Sequence, residues 1–274
     1  MLEFDICLEM VLTDLPYDER IRKIAECGFN AVEFWFHDST AGSAEGGADK
    51  PKDAAVLRDV CAQVGSRVNN LVVNSPDGGV GGSPVDAGDL NKYLERLEEC
   101  IAFAKAIDCI KGITCSGNCS GALSRQQMRD NLEKALAEGA AIAQKNDFTL
   151  LLEPLNVHVD HAGYFLDSSA EAADIIRAIN SPNLRLLYDI YHMQIMEGNV
   201  ISTIEKNLDV IGHFHSAGVP GRHELMTGEL AYLEIIRRIE AAGYSGSFGL
   251  EYSPSTSDST TSLTETRGYL NRLG

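Results

Sequence analysis

Four residues in the second half of the chain are of the types that bind divalent cations and move protons: Glu153, Asp189, His215 and Glu251. Each stands at or near the end of a short apolar run, in "TLLLEPL", "LRLLYDI", "VIGHFHS" and "SFGLEYS". The steps between them are 36, 26 and 36 residues, each long enough for one strand–helix repeat and too short for two. Three carboxylates and an imidazole converging in a low-dielectric site would repel one another. A divalent cation removes that problem. Mostly oxygen ligands with one nitrogen suit Mn²⁺ or Mg²⁺, with Co²⁺ a further choice, whereas a zinc site would lean more on His and Cys.

The elements that must position these groups follow from the hydrophobic pattern. The first half offers strands beginning at Asp5, Ala31, Arg67 and Cys109, and the second half strands beginning at Thr149, Leu184, Val210 and Ser247. Between them lie apolar residues at helical spacing, such as Leu90, Leu94, Leu97 and Ile101. The run "LAYLEIIRRIEAAG" is another, closing at Gly243 as a C′ glycine. Eight strands alternating with about eight helices predict parallel βαβ units. A doubly wound sheet would call for a Gly-rich phosphate turn after the first strand, and "VLTDLPYDER" is not one. The expectation is therefore an α/β fold, a (β/α)₈ TIM barrel formed by one domain over residues 1–274. In a barrel, four consecutive strands aim their C-terminal ends at one catalytic face.

Other polar groups surround the same strand ends. His213 and His215 are two apart and share a face; His215 lies nearer the mouth, so it is assigned to the metal and His213 to a supporting or core position. His192, just past Asp189, is positioned to touch substrate, with a histidine satisfied by its own helix or loop as the alternative. The turn "PGRHELMTGEL" supplies Arg222 and Glu229, and arginine is a natural bidentate partner for a carboxylate. His37, His158 and His161 are weaker candidates for the site, and Cys115 and Cys119 read as inert loop thiols. Two loops rich in Gly, Ser and Asp, "DSTAGSAEGGADK" and "NSPDGGVGGSPVDAG", are either tolerated surface insertions or mobile lids.

Composition excludes some partners. With 23 basic and 40 acidic residues the net charge is −17, which opposes binding to nucleic acid or an anionic membrane but not to a small anion held by one arginine. No run of 18 apolar residues is present, and "MLEFDICLEM" lacks the pattern of a signal peptide. Seven scattered cysteines fit reduced thiols and a cytoplasmic protein.

Against this background, "YDIYHMQIMEG", "GHFHSAGVPGRHE" and the following "TGEL" resemble the hydroxypyruvate isomerases, within the wider xylose-isomerase-like barrel superfamily. "GYFLDSS" and "SPNLRLLYD" match as well, so the resemblance is dense from about Leu150 to Pro254 and diffuse before it. In the superfamily's isomerases and epimerases two glutamates and an aspartate, with a His or Gln, hold the metal. The resemblance thus implies Glu153, Asp189, His215 and Glu251 as ligands, with Glu153 and Glu251 also serving as acid and base. Arg222, His192 and Glu229 remain the candidates at the substrate on their own positions, while the resemblance implies a small-molecule substrate and, by family habit, a homo-oligomer. The implied reaction interconverts hydroxypyruvate, or a close 2-oxo acid, with its aldehyde isomer through an enediolate. Two departures stand out. Similar isomerases have Gln in place of His215 and Pro-Gly in place of Leu225 and Met226. Histidine at that ligand position is the habit of ketose 3-epimerases, which makes epimerisation of a free ketose the alternative.

Overall fold

The computed structural model describes residues 2–38 and 51–274. Its eight strands are β1 (Glu3–Cys7), β2 (Ala31–Phe34), β3 (Arg67–Val72), β4 (Lys111–Thr114), β5 (Thr149–Leu152), β6 (Leu184–Asp189), β7 (Ile211–Ser216) and β8 (Ser247–Leu250). They pair in parallel in chain order, and β8 closes back onto β1, giving a closed barrel. This is the (β/α)₈ architecture that the alternating pattern predicts. Six helices follow strands on the outside: α1 (Tyr17–Glu26), α2 (Ala54–Val64), α3 (Leu90–Ala106), α4 (Arg125–Lys145), α5 (Ser169–Ile179) and α8 (Tyr232–Ala241). The sixth crossover is split into α6 (Ile190–Met196) and α7 (Val200–Asn207), and α9 (Ser259–Leu270) ends the fold.

Local chemistry sets the helix boundaries. Asp53 caps α2 by accepting from the Ala55 and Val56 amides, and α4 opens on a reciprocal capping box between Ser124 and Gln127. Gly243, at φ +93°, follows α8 as the C′ glycine expected from the sequence. Several strands are shorter than their apolar runs suggest. The first ends at Cys7, so Glu9 sits in the turn over the barrel mouth, and β5 and β8 stop one residue before Glu153 and Glu251.

Outward-facing strand residues pack against the helices in one large apolar core. The barrel interior is divided. On one side Ile113, Leu151 and Leu187 form a small separate apolar cluster. On the other Asp5, Glu33, Asn69, Asn70, Lys111, His213 and Ser247 are linked by hydrogen bonds and ion pairs. The register supports this polar side. Between Val68 and Leu71 strand β3 has one residue more than β2, and both Asn69 and Asn70 reach interior partners.

Of the two Gly-rich loops, the first lies, from Ser39 onward, outside the described residues. The second is packed. Asn74 donates to the Gly82 and Cys115 carbonyls, and the Ser75 amide bonds the Val80 carbonyl. Gly81, at φ +72°, lies so close to Arg96 that a Cβ would come within 2.7 Å of its Cγ and 2.9 Å of the Asn74 Cβ. This loop is a fixed part of the wall because its glycines allow the backbone to pass under Arg96. Gly81→Ala is expected to lower stability in urea melts by about 2–4 kcal/mol, combining backbone strain with overpacking. Gly65→Ala shares the positive φ but has open space around its Cβ, so it should cost only about 1–2 kcal/mol. Equal losses would contradict the packed loop.

Candidate active site

Glu153 is the first residue beyond β5, Asp189 the last of β6, His215 the penultimate residue of β7 and Glu251 the first beyond β8. All four are buried, and each offers one ligand atom within 4.8 Å of the others. Asp189 and His215 are direct register partners, as are His215 and Gly249. The geometry therefore brings together the four residues expected from the sequence.

Each side chain is oriented by its own contacts. Asp189 is also the N-cap of α6: its Oδ1 accepts from the Tyr191 and His192 amides at 2.7 and 3.1 Å, which leaves Oδ2 toward the site. Glu251 is the most heavily tied. Its Oε1 accepts the Trp35 indole N–H at 2.8 Å, and its Oε2 pairs with Arg222 Nη2 at 2.6 Å. His215 Nδ1 lies 3.3 Å from Glu251 Oε2 and 3.5 Å from Glu153 Oε1. Neither His215 Nδ1 nor Glu153 Oε1 has a hydrogen-bond partner, although both are buried. Two orphaned polar atoms aimed at one point, among three carboxylates, are what a cation would satisfy.

The charge balance points the same way. Burial, then the nearby Glu153 charge, pushes Asp189 up to about 7. Burial also raises Glu153 above the ordinary glutamate range, outweighing the His215 ring beside it. Burial alone would raise Glu251, but the Arg222 guanidinium and then His215 hold it well below its usual value. His215 is the reverse case: burial opposes its charged form, while Glu33 and Glu251 draw its pKa well upward. One flank of the site is thus firmly anionic and the other lacks a counter-charge.

A cavity of about 200 Å³ opens beside this cluster, bounded by Glu153, His161, His192, His215, Arg222 and Glu251. The rest of its lining is largely apolar, chiefly Trp35, Phe36, Val72, Ile113 and Leu155. His192 Nδ1 faces the Asn156 amide N–H at 3.3 Å and the Asn156 Nδ2 at 2.6 Å, so the ring nitrogen that carries hydrogen is Nε2. Burial, then Arg222, drives the His192 pKa well down and keeps the ring neutral. Arg222 stands at φ +57° after Gly221, with its guanidinium over the Tyr191 ring at 5.2 Å.

The remaining sequence candidates are placed differently. Glu229 is exposed, away from the cavity lining, and accepts from Gln194 Nε2 at 3.1 Å. His158 is exposed, while His161 lines the cavity. His37 stacks on Phe103 with ring centres 4.4 Å apart. Cys115 lines the cavity with its thiol pushed well up by burial, and Cys119 is exposed.

Sequence reasoning missed Trp35, Glu9, Lys52 and Glu33. Lys52 Nζ pairs with Glu9 Oε1 at 2.8 Å, and Glu9 Oε2 accepts the Trp35 amide N–H at 3.0 Å, which steadies the residue whose indole holds Glu251. The available signal was the run "AVEFWF", which puts a carboxylate and the chain's one tryptophan at a strand end.

Among the described residues, no helix is long and apolar enough to cross a membrane. Residues 21–273 match the family described as xylose isomerase-like TIM barrel. The hydroxypyruvate isomerase of Escherichia coli (strain K12) is 32% identical over 265 residues, covering 93% of this chain and 95% of its own length. The 2-oxo-tetronate isomerase of Cupriavidus necator is 30% identical over 261 residues, covering 93% and 94%. Among solved structures, an AP endonuclease, family 2, from Brucella melitensis superposes with a TM-score of 0.87 at 29% identity, covering 98% of this chain and 99% of that one.

Mn²⁺ at about a hundredfold excess over its Kd is expected to stabilise the protein by about 2.7 kcal/mol, roughly 5–10 °C in Tm by scanning fluorimetry. EDTA should reverse the shift. Asp189→Asn should remove it while keeping an N-cap for α6. A full shift in Asp189→Asn would place the cation elsewhere.

Proposed function

The chain belongs to the xylose isomerase-like TIM barrel family and, within it, to the hydroxypyruvate isomerases, and from that premise we propose that it interconverts hydroxypyruvate and tartronate semialdehyde, or a closely related 2-oxo acid pair. The observation that carries this reading is the buried set Glu153, Asp189, His215 and Glu251 converging beside Arg222 in one cavity. The four residues fit a divalent ion, Mn²⁺ or Mg²⁺, by donor chemistry and by their two orphaned atoms. When bound there, such an ion would polarise the substrate carbonyl and stabilise negative charge developing on its oxygen.

The chain's own groups supply the rest. In hydroxypyruvate the C3–H bond breaks and a C2–H bond forms, and the O3 hydroxyl proton passes to O2; the C2 carbonyl is reduced to an alcohol while C3 is oxidised to an aldehyde. Glu153, with Oε1 unpaired and its pKa raised by burial, takes the proton from C3 and returns it to C2. Glu251, fixed by Trp35 and Arg222, holds the opposite flank as ligand and second acid/base. His192 presents its Nε2–H to a substrate oxygen. Arg222 offers the free edge of its guanidinium to the substrate carboxylate, and the apolar wall excludes water. Glu229 acts only indirectly, through Gln194.

The name of the Cupriavidus necator relative supports a four-carbon 2-oxo acid as a second substrate of the same class. Histidine at position 215 favours ketose 3-epimerisation as the alternative, whereas the apolar wall offers little to the distal hydroxyls of a hexulose. The net charge of −17 weighs against DNA as a substrate, despite the likeness to an AP endonuclease. The unpaired state of all seven cysteines supports a cytoplasmic setting.

In D₂O with Mg²⁺, hydroxypyruvate should yield tartronate semialdehyde, with deuterium at C2 in the fraction of turnovers in which the Glu153 carboxyl exchanges with solvent before the proton returns. Exchange at C3 of fructose, with hydroxypyruvate inert, would move the assignment to epimerase. Glu153→Gln should lower kcat by about 10²–10⁴-fold. Arg222→Ala should raise KM for hydroxypyruvate by about 10–100-fold, the loss of a charge-assisted hydrogen bond; an unchanged KM would remove Arg222 as the carboxylate anchor.

A further inference from the structure

Behind the metal-facing edge of His215 lies a second group of buried ligand-type residues, Glu33, His213 and His215 itself. Glu33 extends from β2 into the barrel interior and is 2% exposed. Its Oε1 and Oε2 lie 3.1 and 3.2 Å from His215 Nε2, while His215 Nδ1 points at Glu153 and Glu251. We propose that Glu33 is a positioning residue that fixes His215 as its Nε2–H tautomer, so that the Nδ1 lone pair faces the cation. The proposal rests on the metal reading above and adds to it a residue that is not itself a ligand.

The surrounding network gives the hydrogen bonds their direction. Lys111 Nζ, which can only donate, lies 2.9 Å from Ser247 Oγ. Ser247 Oγ lies 3.0 Å from His213 Nδ1, and His213 Nε2 lies 3.2 Å from Glu33 Oε2. Asn70 Nδ2 donates to the same oxygen at 2.7 Å. An ionised carboxylate accepts only, so His213 Nε2 and His215 Nε2 donate to Glu33 Oε2; the 3.2 Å approach of Asn70 Nδ2 to His213 Nε2 is then that of two donors sharing this one oxygen. His213 Nδ1 then accepts from Ser247, and His215 Nδ1, which has no hydrogen-bond partner and lies 3.3 Å from Glu251 Oε2 and 3.5 Å from Glu153 Oε1, is the nitrogen left to face a cation bound among these carboxylates.

Glu33 Oε2 is thereby occupied by donors, while its buried Oε1, 3.1 Å from His215 Nε2, has no hydrogen-bond partner. The His215 ring is also confined on its other side. A Cβ on Gly249 would lie 2.6 Å from His215 Cδ2 and 3.0 Å from Glu33 Oε1. Glycine at this point of β8 admits the imidazole between the strand and Glu33. A carboxylate hydrogen-bonded to a metal-bound histidine fixes its tautomer and raises its basicity, and losing such a partner costs about 10–100-fold in metal affinity.

The test has two arms. Long-range ¹H–¹⁵N spectra of the Mg²⁺-loaded wild-type protein, with His215 assigned through His215→Gln, should show a protonated Nε2 and an unprotonated Nδ1. A protonated Nδ1, or coordination through Nε2, overturns the proposal without any Glu33 variant having to fold. In the second arm, Mn²⁺ affinity is measured by competition with a chromophoric chelator. Glu33→Gln, which keeps an acceptor oxygen but loses the charge, should weaken binding about tenfold, and Glu33→Ala about a hundredfold. At saturating Mn²⁺ the kcat of Glu33→Gln should return to within a few-fold of wild type, which a distorted core would not allow. A cooperatively folded Glu33→Ala that binds Mn²⁺ as tightly as wild type sinks the positioning role alone. Failure of the wild type itself to bind Mn²⁺ sinks the metal reading and the positioning role together.

Discussion

Asp5, Glu9, Glu33, Glu153, Asp189 and Glu251 are all buried within one barrel, and a buried carboxylate is costly unless a positive or hydrogen-bonding partner answers it. Glu9 has Lys52, and Glu251 has Arg222 and the Trp35 indole. Glu33 has Asn70 and two imidazoles. Asp5 accepts from Asn69 and feels Lys111, yet burial still drives its pKa well up. Once these pairings are made, Asp189 keeps two backbone amides and a 3.5 Å approach of the neutral His192 ring, and Glu153 keeps the flank of His215 and the more distant Arg222 charge. The deficit of positive charge falls at the point where four ligand atoms converge.

That electrostatic demand shapes the fold as much as the hydrophobic core does. A barrel interior filled wholly by branched aliphatic residues would be simpler to pack. Here, among the described residues, Ile113, Leu151 and Leu187, with Val72 packed against them, follow that rule. The other side is polar, and the strands carry irregularities that serve it. The extra residue in β3 turns both Asn69 and Asn70 inward, and Gly249 thins β8 where His215 passes. The register then holds Asp189, His215 and Gly249 abreast, so the ligand end of the polar stack meets the cavity at one level.

The sequence was most legible where a polar residue ends an otherwise apolar strand. Glu153, Asp189, His215 and Glu251 each break such a run, and their spacing matches the strand–helix repeat. The eight strands were readable for the same reason, although their ends were not, because β1, β5 and β8 stop where pairing stops rather than where apolar residues do. Glu33 was illegible because one acid in a short strand looks like the outward residue of a half-buried sheet. Only its partners on β3 and β7, far along the chain, reveal its inward direction. Lys52 was hidden likewise: it follows a Gly- and Ser-rich stretch that reads as solvated, yet its amine is buried against Glu9. Glu229 illustrates the converse. A turn can carry the right residue type and still direct it to solvent, as the contact with Gln194 does.

On the proposed metal reading, the histidine at 215 and the glutamine that the family resemblance leads one to expect there obey one constraint. The position must present an acceptor to the cation and a donor to Glu33. Imidazole does so with an unprotonated Nδ1 and a protonated Nε2; a carboxamide does so with its carbonyl oxygen and its NH₂. Aspartate or glutamate would place a second acceptor against Glu33, and lysine would offer donors to a cation. The hydrogen bond at 3.2 Å between His215 Nε2 and Glu33 Oε2 thus restricts which residues this strand position can accept. On this view the exchange of Gln for His alters ligand softness and basicity while preserving the direction of the hydrogen-bond chain. On the same view, substrate choice depends less on residue 215 than on the rest of the cavity lining, where Arg222 supplies a cation and residues from Trp35 to Leu155 supply apolar surface.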